Sequence, residues 1–187
     1  MEMGGAGEGA RGASSPRRVV VAVDESEESM HALSWCLSNV VSAAKAAAAP
    51  PPAVVLVHAR SPRLFYYPAI DGAGYVLTQQ VMDSMDQYMA SAANTVITKA
   101  KSICTTFPNV RVETCVEKGD PRDVICGAAE KADADMLVMG SHGYGFLQRA
   151  LLGSVSNYCV QNCKCPVVVV KRPDGEAARR RESYVDS

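Results

Sequence analysis

Five short apolar runs recur along the chain, the first and last of them rich in valine and the third alternating with polar residues, and the stretches between them repeat apolar residues every three or four positions. Strands buried on both faces of a parallel sheet are nearly continuous apolar runs, whereas amphipathic helices show the longer repeat. The runs lie at 17–24, 53–59, 110–116, 135–140 and 166–171. The alternation predicts an α/β fold, an open, doubly wound, five-stranded parallel sheet with helices on both faces.

Four helices are predicted between these strands. The first begins at Ser26, a capping residue, and the third at Asp120, which is followed by proline at the first helical position. The fourth runs from Gly153–Ser154 to about Cys163. The apolar face expected of the first helix is Met30, Leu33, Leu37, Val40 and Ala44. That of the second is Met85, Tyr88, Met89, Ala92, Val96 and Ala100, and that of the third is Val124, Ile125 and Ala128.

The length of 187 residues suits one compact domain. We place the domain at 17–171, because 1–16 and 172–187 carry no sustained apolar period and are expected to be disordered tails. The segment 61–74, rich in Pro, Gly and aromatic residues, is predicted to be a loop.

Composition and charge exclude several classes of protein. A net charge of -1 without a basic cluster argues against binding to nucleic acid. No apolar run approaches the ~20 residues that span a bilayer, which argues against a membrane protein. The first eighteen residues lack the apolar core of a secretory signal, so we expect a cytoplasmic protein in a reducing compartment.

The seven cysteines are therefore expected to be thiols. Four of them lie within apolar patterns and are expected to be buried, namely Cys36, Cys104, Cys126 and Cys159. The spacing of Cys159, Cys163 and Cys165 matches neither the paired motifs of zinc sites nor a redox motif, so no metal ligands are predicted.

Glycines after the fourth strand suggest an anion site. Gly140 and Gly143 follow that strand, and after nine further residues Gly153 and Ser154 begin a helix. Glycines let backbone amides approach an anion, and a helix N-terminus presents unpaired N–H groups at its positive end. The spacing predicts a phosphate-binding site, and the alternative is a plain turn followed by an N-cap.

Other nucleotide and catalytic motifs fit less well. A Walker loop requires lysine before the Ser, and a dinucleotide fingerprint requires a third glycine where the chain has Gln148. Ser141 and His142 are sequence neighbours outside a nucleophile elbow, which argues against a serine hydrolase.

Several segments together resemble the universal stress protein family, plant type. They are Asp24 within Val-Ala-Val-Asp-Glu-Ser, His58 at the end of the second strand, and the run from Asp135 through Gly140-Ser141-His142-Gly143 to Gly153-Ser154-Val155 and Cys165-Pro166-Val167. The glycine spacing is that of the ATP-binding branch of the family. The resemblance implies a Rossmann-like fold, an ATP or AMP ligand, and Mg²⁺ held through the nucleotide phosphates.

By that resemblance Asp24 lies near the ribose or phosphates, Ala59 near adenine and Gly140 at the ribose. Ala59 stands where the family often has valine. The full set of nucleotide-binding residues predicted in this way is Ala22, Val23, Asp24, Ser26, Ala59, Met139, Gly140, His142, Gly143, Gly153, Ser154 and Val155.

Several of these side chains have a simpler alternative. Asp24 could end its strand and help to cap the helix at Ser26, and His58 is expected to pack and bond locally rather than bind metal. His142 and Arg149 could reach a phosphate or remain exposed.

The resemblance implies a stress-response protein that acts as a nucleotide-dependent switch or interaction module with a protein partner. The alternatives are a slow ATP hydrolase, since no catalytic residue beyond Asp24 is evident, and a stress protein that has lost its ligand. The strand 166–171 is expected to lie at a sheet edge, where an uncovered valine-rich strand favours a homodimer.

Overall fold

The computed structural model describes residues 16–42, 50–60, 79–141 and 152–172, with backbone alone at 79–82. The strands are β1 (Arg18–Ala22), β2 (Ala53–Arg60), β3 (Arg111–Lys118), β4 (Met136–Gly140) and β5 (Val167–Val170). The helices are α1 (Glu27–Cys36), α2 (Gln79–Cys104), α3 (Pro121–Lys131) and α4 (Ser154–Asn162), and a π-helical turn, Leu37–Val41, extends α1.

The five strands form one sheet in the order β3-β2-β1-β4-β5, and every neighbouring pair is parallel. This confirms the predicted doubly wound α/β sheet. Strands β1 and β5 end earlier than their predicted runs, by two residues and by one residue, whereas β2 and β3 end later than theirs. In β1 the reason is that Asp24 already belongs to the turn that leads to α1.

Two apolar layers cover the sheet, one on each face. Helices α1 and α2 pack on one face, around Leu33, Leu37, Val96 and Ala100. Helices α3 and α4 pack on the other, around Val124, Ala128, Met139 and Cys159. The sheet is therefore protected on both faces, and ligands can reach it at its strand ends and edges.

The predicted apolar face of α2 is wrong at Tyr88, whose side chain is 77% exposed. Among the described side chains of α2, burial begins at Ala93 and includes Val96 and Ala100. A helix of 26 residues is about 39 Å long, whereas a strand of 8 residues is about 26 Å, so part of α2 extends beyond the sheet. Ala44 and the segment 61–74 lie outside the described residues.

The seven cysteines are all free thiols. Cys36 and Cys104 are buried between α1 and α2, and this burial raises the pKa of the Cys36 thiol to about 12 and that of Cys104 to about 11. Cys159 is also buried, but the prediction that Cys126 is buried is wrong, since that residue is partly exposed on the side of α3 that faces α4.

Candidate functional site

The order of the strands reverses between β1 and β4. From β1 the chain continues towards β2 on one side, whereas β4 leads to β5 on the other. In open α/β sheets ligands bind at such a point, outside the carboxyl ends of the strands. The two strands pair from Val19–Met136 to Val21–Val138, so their carboxyl ends lie side by side. We call the space outside these ends the crevice.

A dense hydrogen-bonded turn follows β1 at the crevice. The Oδ1 of Asp24 accepts from the backbone N–H of Ser26 at 3.0 Å and from the Ser26 hydroxyl. The Ser26 hydroxyl in turn accepts from the N–H of Ser29 at 3.2 Å, and the Ser29 Oγ lies 3.1 Å from the carbonyl oxygens of Asp24 and Ser26. Asp24 thus helps to hold the start of α1, which agrees with the alternative that it ends its strand and helps to cap the helix. The Ser26 hydroxyl is engaged within the same turn.

His58 ties the end of β2 to the end of β1. Its side chain is 8% exposed, and its Nδ1 lies 2.9 Å from the carbonyl oxygen of Val23. Because a carbonyl can only accept, Nδ1 carries the proton that it donates. The N–H of Val23 donates to the carbonyl of Val57 at 2.9 Å, and the half-buried Ala59 follows at the rim of the crevice. The expectation that His58 forms a local hydrogen bond agrees with this geometry.

The chain leaves the sheet after β4 and returns to the same place before α4. The N–H of Ser141 donates to the carbonyl of Val170 at 3.1 Å, and the N–H of Gly153 donates to the carbonyl of Ser141 at 2.8 Å. The buried Ser156 Oγ lies 3.0 Å from the Ser141 carbonyl oxygen and 2.9 Å from that of Gly153. These bonds fix the N-terminus of α4 at the carboxyl end of β4, beside the crevice.

One part of the predicted phosphate site needs correction. The amide of Gly153, which we expected to contribute to anion binding, is already paired with Ser141. Within the described residues, no acceptor is recorded for the N–H groups of Ser154 and Val155 in the first turn of α4. The amides that can hold an anion are therefore those one and two residues after Gly153.

Gly153 itself favours a ligand at this helix end. Its φ of -65° and ψ of 159° are accessible to every amino acid, so the backbone does not require glycine there. Ser, Thr, Asp or Asn would cap the helix by accepting from its first amides. With glycine, no side chain competes for these amides.

The starts of α1 and α3 each have a capping side chain and acidic residues in the first turn. Ser26 caps α1, which has Glu27 and Glu28 in its first turn, and Asp120 caps α3, which has Asp123. The first turn of α4 has no acidic residue. Of these three helix starts, that of α4 has neither a capping side chain nor an acidic residue in its first turn, so the positive end of its dipole can attract an external anion.

Gly140 is required for packing between the sheet and α1. A Cβ at this position would lie 3.0 Å from the carbonyl carbon of Glu28 and 3.1 Å from the amide nitrogen of Ser29. The first turn of α1 therefore rests directly on the end of β4. This close contact accounts for the glycine without a ligand.

The remaining predicted residues fall into two groups. Ala22 and Met139 bury their side chains in the layer of α3 and α4, and Val23 is buried in the opposite layer, so each can meet a ligand through its backbone. His142, Gly143 and Arg149 lie outside the described residues.

The sequence analysis missed Ser29 and Ser156, which fix the two sides of the crevice. Each is the third residue of its helix and is buried, and its hydroxyl bonds to backbone carbonyls: those of Asp24 and Ser26 for Ser29, and those of Ser141 and Gly153 for Ser156. A serine or threonine three residues after an N-cap is a recognisable signal of this arrangement, related to the capping box.

Comparisons with known proteins agree on one family. A model of the universal stress protein family matches residues 16–171. Universal stress protein PHOS32 of Arabidopsis thaliana is 33% identical over 172 residues, covering 87% of this chain and 67% of the relative. PHOS34 of the same plant is 32% identical over 176 residues, covering 87% of this chain and 64% of the relative. This chain thus spans about two thirds of the length of both relatives.

Solved structures share the fold at lower identity. A universal stress protein family protein from Arabidopsis thaliana with AMP bound has a TM-score of 0.58 and 22% identity, covering 86% of this chain and 95% of that one. A universal stress protein in complex with cAMP has a TM-score of 0.57 and 21% identity, covering 82% of this chain and 96% of that one.

No described helix is long and apolar enough to cross a membrane.

Proposed function

Because the chain belongs to the universal stress protein family, we propose that it binds an adenine nucleotide, ATP or AMP, in the crevice between β1 and β4. The observation that carries this proposal is the bond from the Gly153 amide to the Ser141 carbonyl, which fixes the uncapped start of α4 beside the two strand ends. The adenine nucleotides bound by two solved relatives, AMP and cAMP, support the same ligand class.

We place the phosphates at the first turn of α4, with the amides of Ser154 and Val155 and the exposed Ser154 hydroxyl as donors. The base would lie near Ala59 and the ribose between Asp24 and Gly140. His142 and Gly143 complete the proposed set from the segment between β4 and α4, and Ala22, Val23 and Met139 contribute through their backbones. A bound Mg²⁺ would be held through the phosphates.

The contacts of Asp24 favour binding over hydrolysis. One of its carboxylate oxygens already accepts two hydrogen bonds from Ser26, which holds the carboxylate in a structural role. A hydrolase needs a group that orients or deprotonates the attacking water. We therefore propose a nucleotide-dependent switch or interaction module in the stress response rather than an enzyme.

The cellular setting is part of the same proposal. Free thiols at all seven cysteines are in keeping with a reducing compartment, and we propose the cytoplasm. The family match over 16–171 supports our proposal of a single domain at 17–171.

Thermal unfolding with and without ligand tests the proposal. A nucleotide at 100 times its dissociation constant stabilises the folded state by ~2.7 kcal/mol, which raises the Tm of a domain of this size by several degrees. We expect millimolar AMP or Mg-ATP to raise the Tm of the wild type by that amount. Ser154→Asp should remove most of this shift, because it places a carboxylate where the phosphates bind.

The same variant separates binding from folding. A carboxylate in the first turn of a helix favours the helix dipole, so the Tm of Ser154→Asp without ligand should not fall. Gln161→Glu adds the same charge at the exposed far end of α4 and should keep the full nucleotide shift. The proposal is wrong if the wild type shows no shift, or if Ser154→Asp responds to nucleotide as the wild type does.

A further inference from the structure

Three cysteines meet where α3 packs against α4, at the end of α4 opposite its glycine cap. Cys159 and Cys163 lie one helical turn apart, with the N–H of Cys163 donating to the Cys159 carbonyl at 3.0 Å. Cys126 lies across from them on α3. The three Sγ atoms lie within 4.8 Å of one another, so three thiols share one small space. We call this group the thiol cluster.

The spacing of the sulfurs suits a shared metal ion. Two sulfurs bound to one zinc ion at about 2.3 Å with tetrahedral angles lie about 3.8 Å apart. The Sγ atoms of Cys126 and Cys159 are 3.8 Å apart. Those of Cys126 and Cys163 are 2.9 Å apart, and a modest turn of the Cys163 side chain, which follows the last residue of α4, would open that distance.

The surroundings specify the class of metal. The cluster consists of sulfur ligands alone, which favours thiophilic cations such as Zn²⁺ and Cu⁺ over Mg²⁺ or Ca²⁺. Cys159 is 0% exposed and packs among apolar residues, whereas Cys126 and Cys163 are partly exposed and leave a route for the ion to enter. One side of the cluster is closed and the other is open to solvent.

We propose that Cys126, Cys159 and Cys163 bind one thiophilic d¹⁰ cation as three thiolates. Zn²⁺ would complete its four ligands with a water molecule, and Cu⁺ would be satisfied by the three sulfurs. Three metal–sulfur bonds form, three thiol protons pass to solvent, and no electron is transferred. Such an ion would join α3 to α4 by a direct link that does not involve the crevice.

The experiment is a metal titration of the full chain, kept reduced and free of nucleotide. Zn²⁺ is added in competition with a chromophoric chelator, and Cu⁺ is added anaerobically in competition with a chelator specific for that ion. We expect one equivalent of at least one of the two ions to be withdrawn from its chelator. Cd²⁺ should produce the ultraviolet absorption of metal–thiolate bonds.

Single substitutions locate the site. Cys126→Ser and Cys163→Ser should each weaken binding at least tenfold, and both residues are partly exposed, so the fold should tolerate the change. Cys115→Ser is the matched control, because Cys115 is also a half-buried thiol but lies on β3, outside the cluster. It should bind metal as the wild type does, and circular dichroism should show that all three variants remain folded.

Three results would overturn the proposal. One is that neither ion is withdrawn from its chelator by the wild type. Another is that folded Cys126→Ser and Cys163→Ser bind as tightly as Cys115→Ser. The third is that the thiols form a disulfide under the reducing conditions of the titration. None of these results bears on nucleotide binding, which is measured separately and at the other end of α4.

Discussion

At the residue scale, the crevice depends on two buried serines that sequence reasoning did not single out. Ser29 and Ser156 each hold a turn by bonding to backbone carbonyls, and neither contributes an apolar side chain to the core. A pattern analysis that searches for glycines and charged residues does not detect them. Their position in each helix is visible in the sequence, but their burial depends on how the helix packs on the sheet.

We expect Ser156→Ala to destabilise the fold by about 1 kcal/mol, because it removes a buried hydrogen bond to the Ser141 carbonyl. This is near the low end of the cost of removing a buried hydrogen bond, because the Ser141 carbonyl also accepts from the Gly153 amide and so keeps a partner. Urea unfolding measures the change. Ser34→Ala is the matched control, because the Ser34 hydroxyl bonds to the Met30 carbonyl within its own helix and alanine favours the helix. Equal losses of stability in the two variants would contradict this explanation.

Individual contacts set the limit of prediction at this scale. The glycine spacing correctly indicated Gly153–Ser154 as the start of a helix at the proposed site. It could not indicate that the Gly153 amide pairs with Ser141, since this bond depends on where the chain returns after β4. The thiol cluster was missed for a related reason, because Cys126 is 33 residues distant from Cys159 and meets it only through helix packing.

At the scale of single elements, the start of α3 shows how far local signals extend. The sequence predicted Asp120 as its N-cap, and the Oδ1 of Asp120 accepts from the Arg122 amide at 2.9 Å. The Arg122 guanidinium also binds both carboxylate oxygens, at 2.9 and 2.7 Å, and lies 5.7 Å from the centre of the Tyr158 ring on α4. These hydrogen bonds from Arg122 lower the pKa of Asp120 to about 2.

A pH dependence follows from this lowered pKa. Asp120 stabilises the folded state fully above its ordinary value of 3.8 and loses this effect as the pH falls towards about 2. We expect Asp120→Ala to lower the Tm at about pH 6, and the gap from the wild type to narrow as the pH falls to about 3. Asp120→Asn keeps an oxygen for capping without a charge, so its Tm should fall less. If the Tm difference between Asp120→Ala and the wild type stayed constant from about pH 6 to about pH 3, it would contradict this stabilising role of the Asp120 charge.

The elements with strong local signals were predicted well, and long helices less well. Buried apolar runs identify β1 and β4 from the sequence, and a proline after an N-cap identifies α3. For α2 the predicted apolar face included Tyr88, but that side chain is exposed, and burial among the described side chains begins only at Ala93. Helical periodicity shows which residues share a face but does not show how much of that face another element covers.

At the scale of the whole molecule, the two edges of the sheet differ. Edge strand β3 has exposed charged residues at both ends, Arg111 and Lys118, which discourage pairing with another chain. Edge strand β5 consists of four valines without a charge, three of them partly exposed. We propose that β5 pairs with its counterpart in a second copy to form the homodimer expected from the sequence.

The hydrogen bonds within the sheet show which residues would make that contact. The carbonyls of Pro166 and Val170 accept from β4, so the N–H and C=O groups of Val167 and Val169 face the open edge. Val169→Pro removes an outward donor and should convert the dimer to a monomer in light scattering at tens of micromolar. On β3 the bonds of Arg111 and Gly119 face β2, so Thr114→Pro makes the same change at the opposite edge and should leave the dimer intact. A monomeric wild type, or equal effects of the two prolines, would contradict a β5 dimer.

The two glycines at the crevice are under different constraints, and this affects what they reveal about the history of such a chain. Position 140 must stay glycine for as long as α1 packs on β4, so a descendant that had lost its ligand would still carry it. Position 153 has a backbone conformation open to any residue, so once no ligand needed the helix end, mutation would be free to introduce a capping Ser or Asp. When related genes are sorted into those that keep a ligand and those that do not, residue 153 is therefore the informative position.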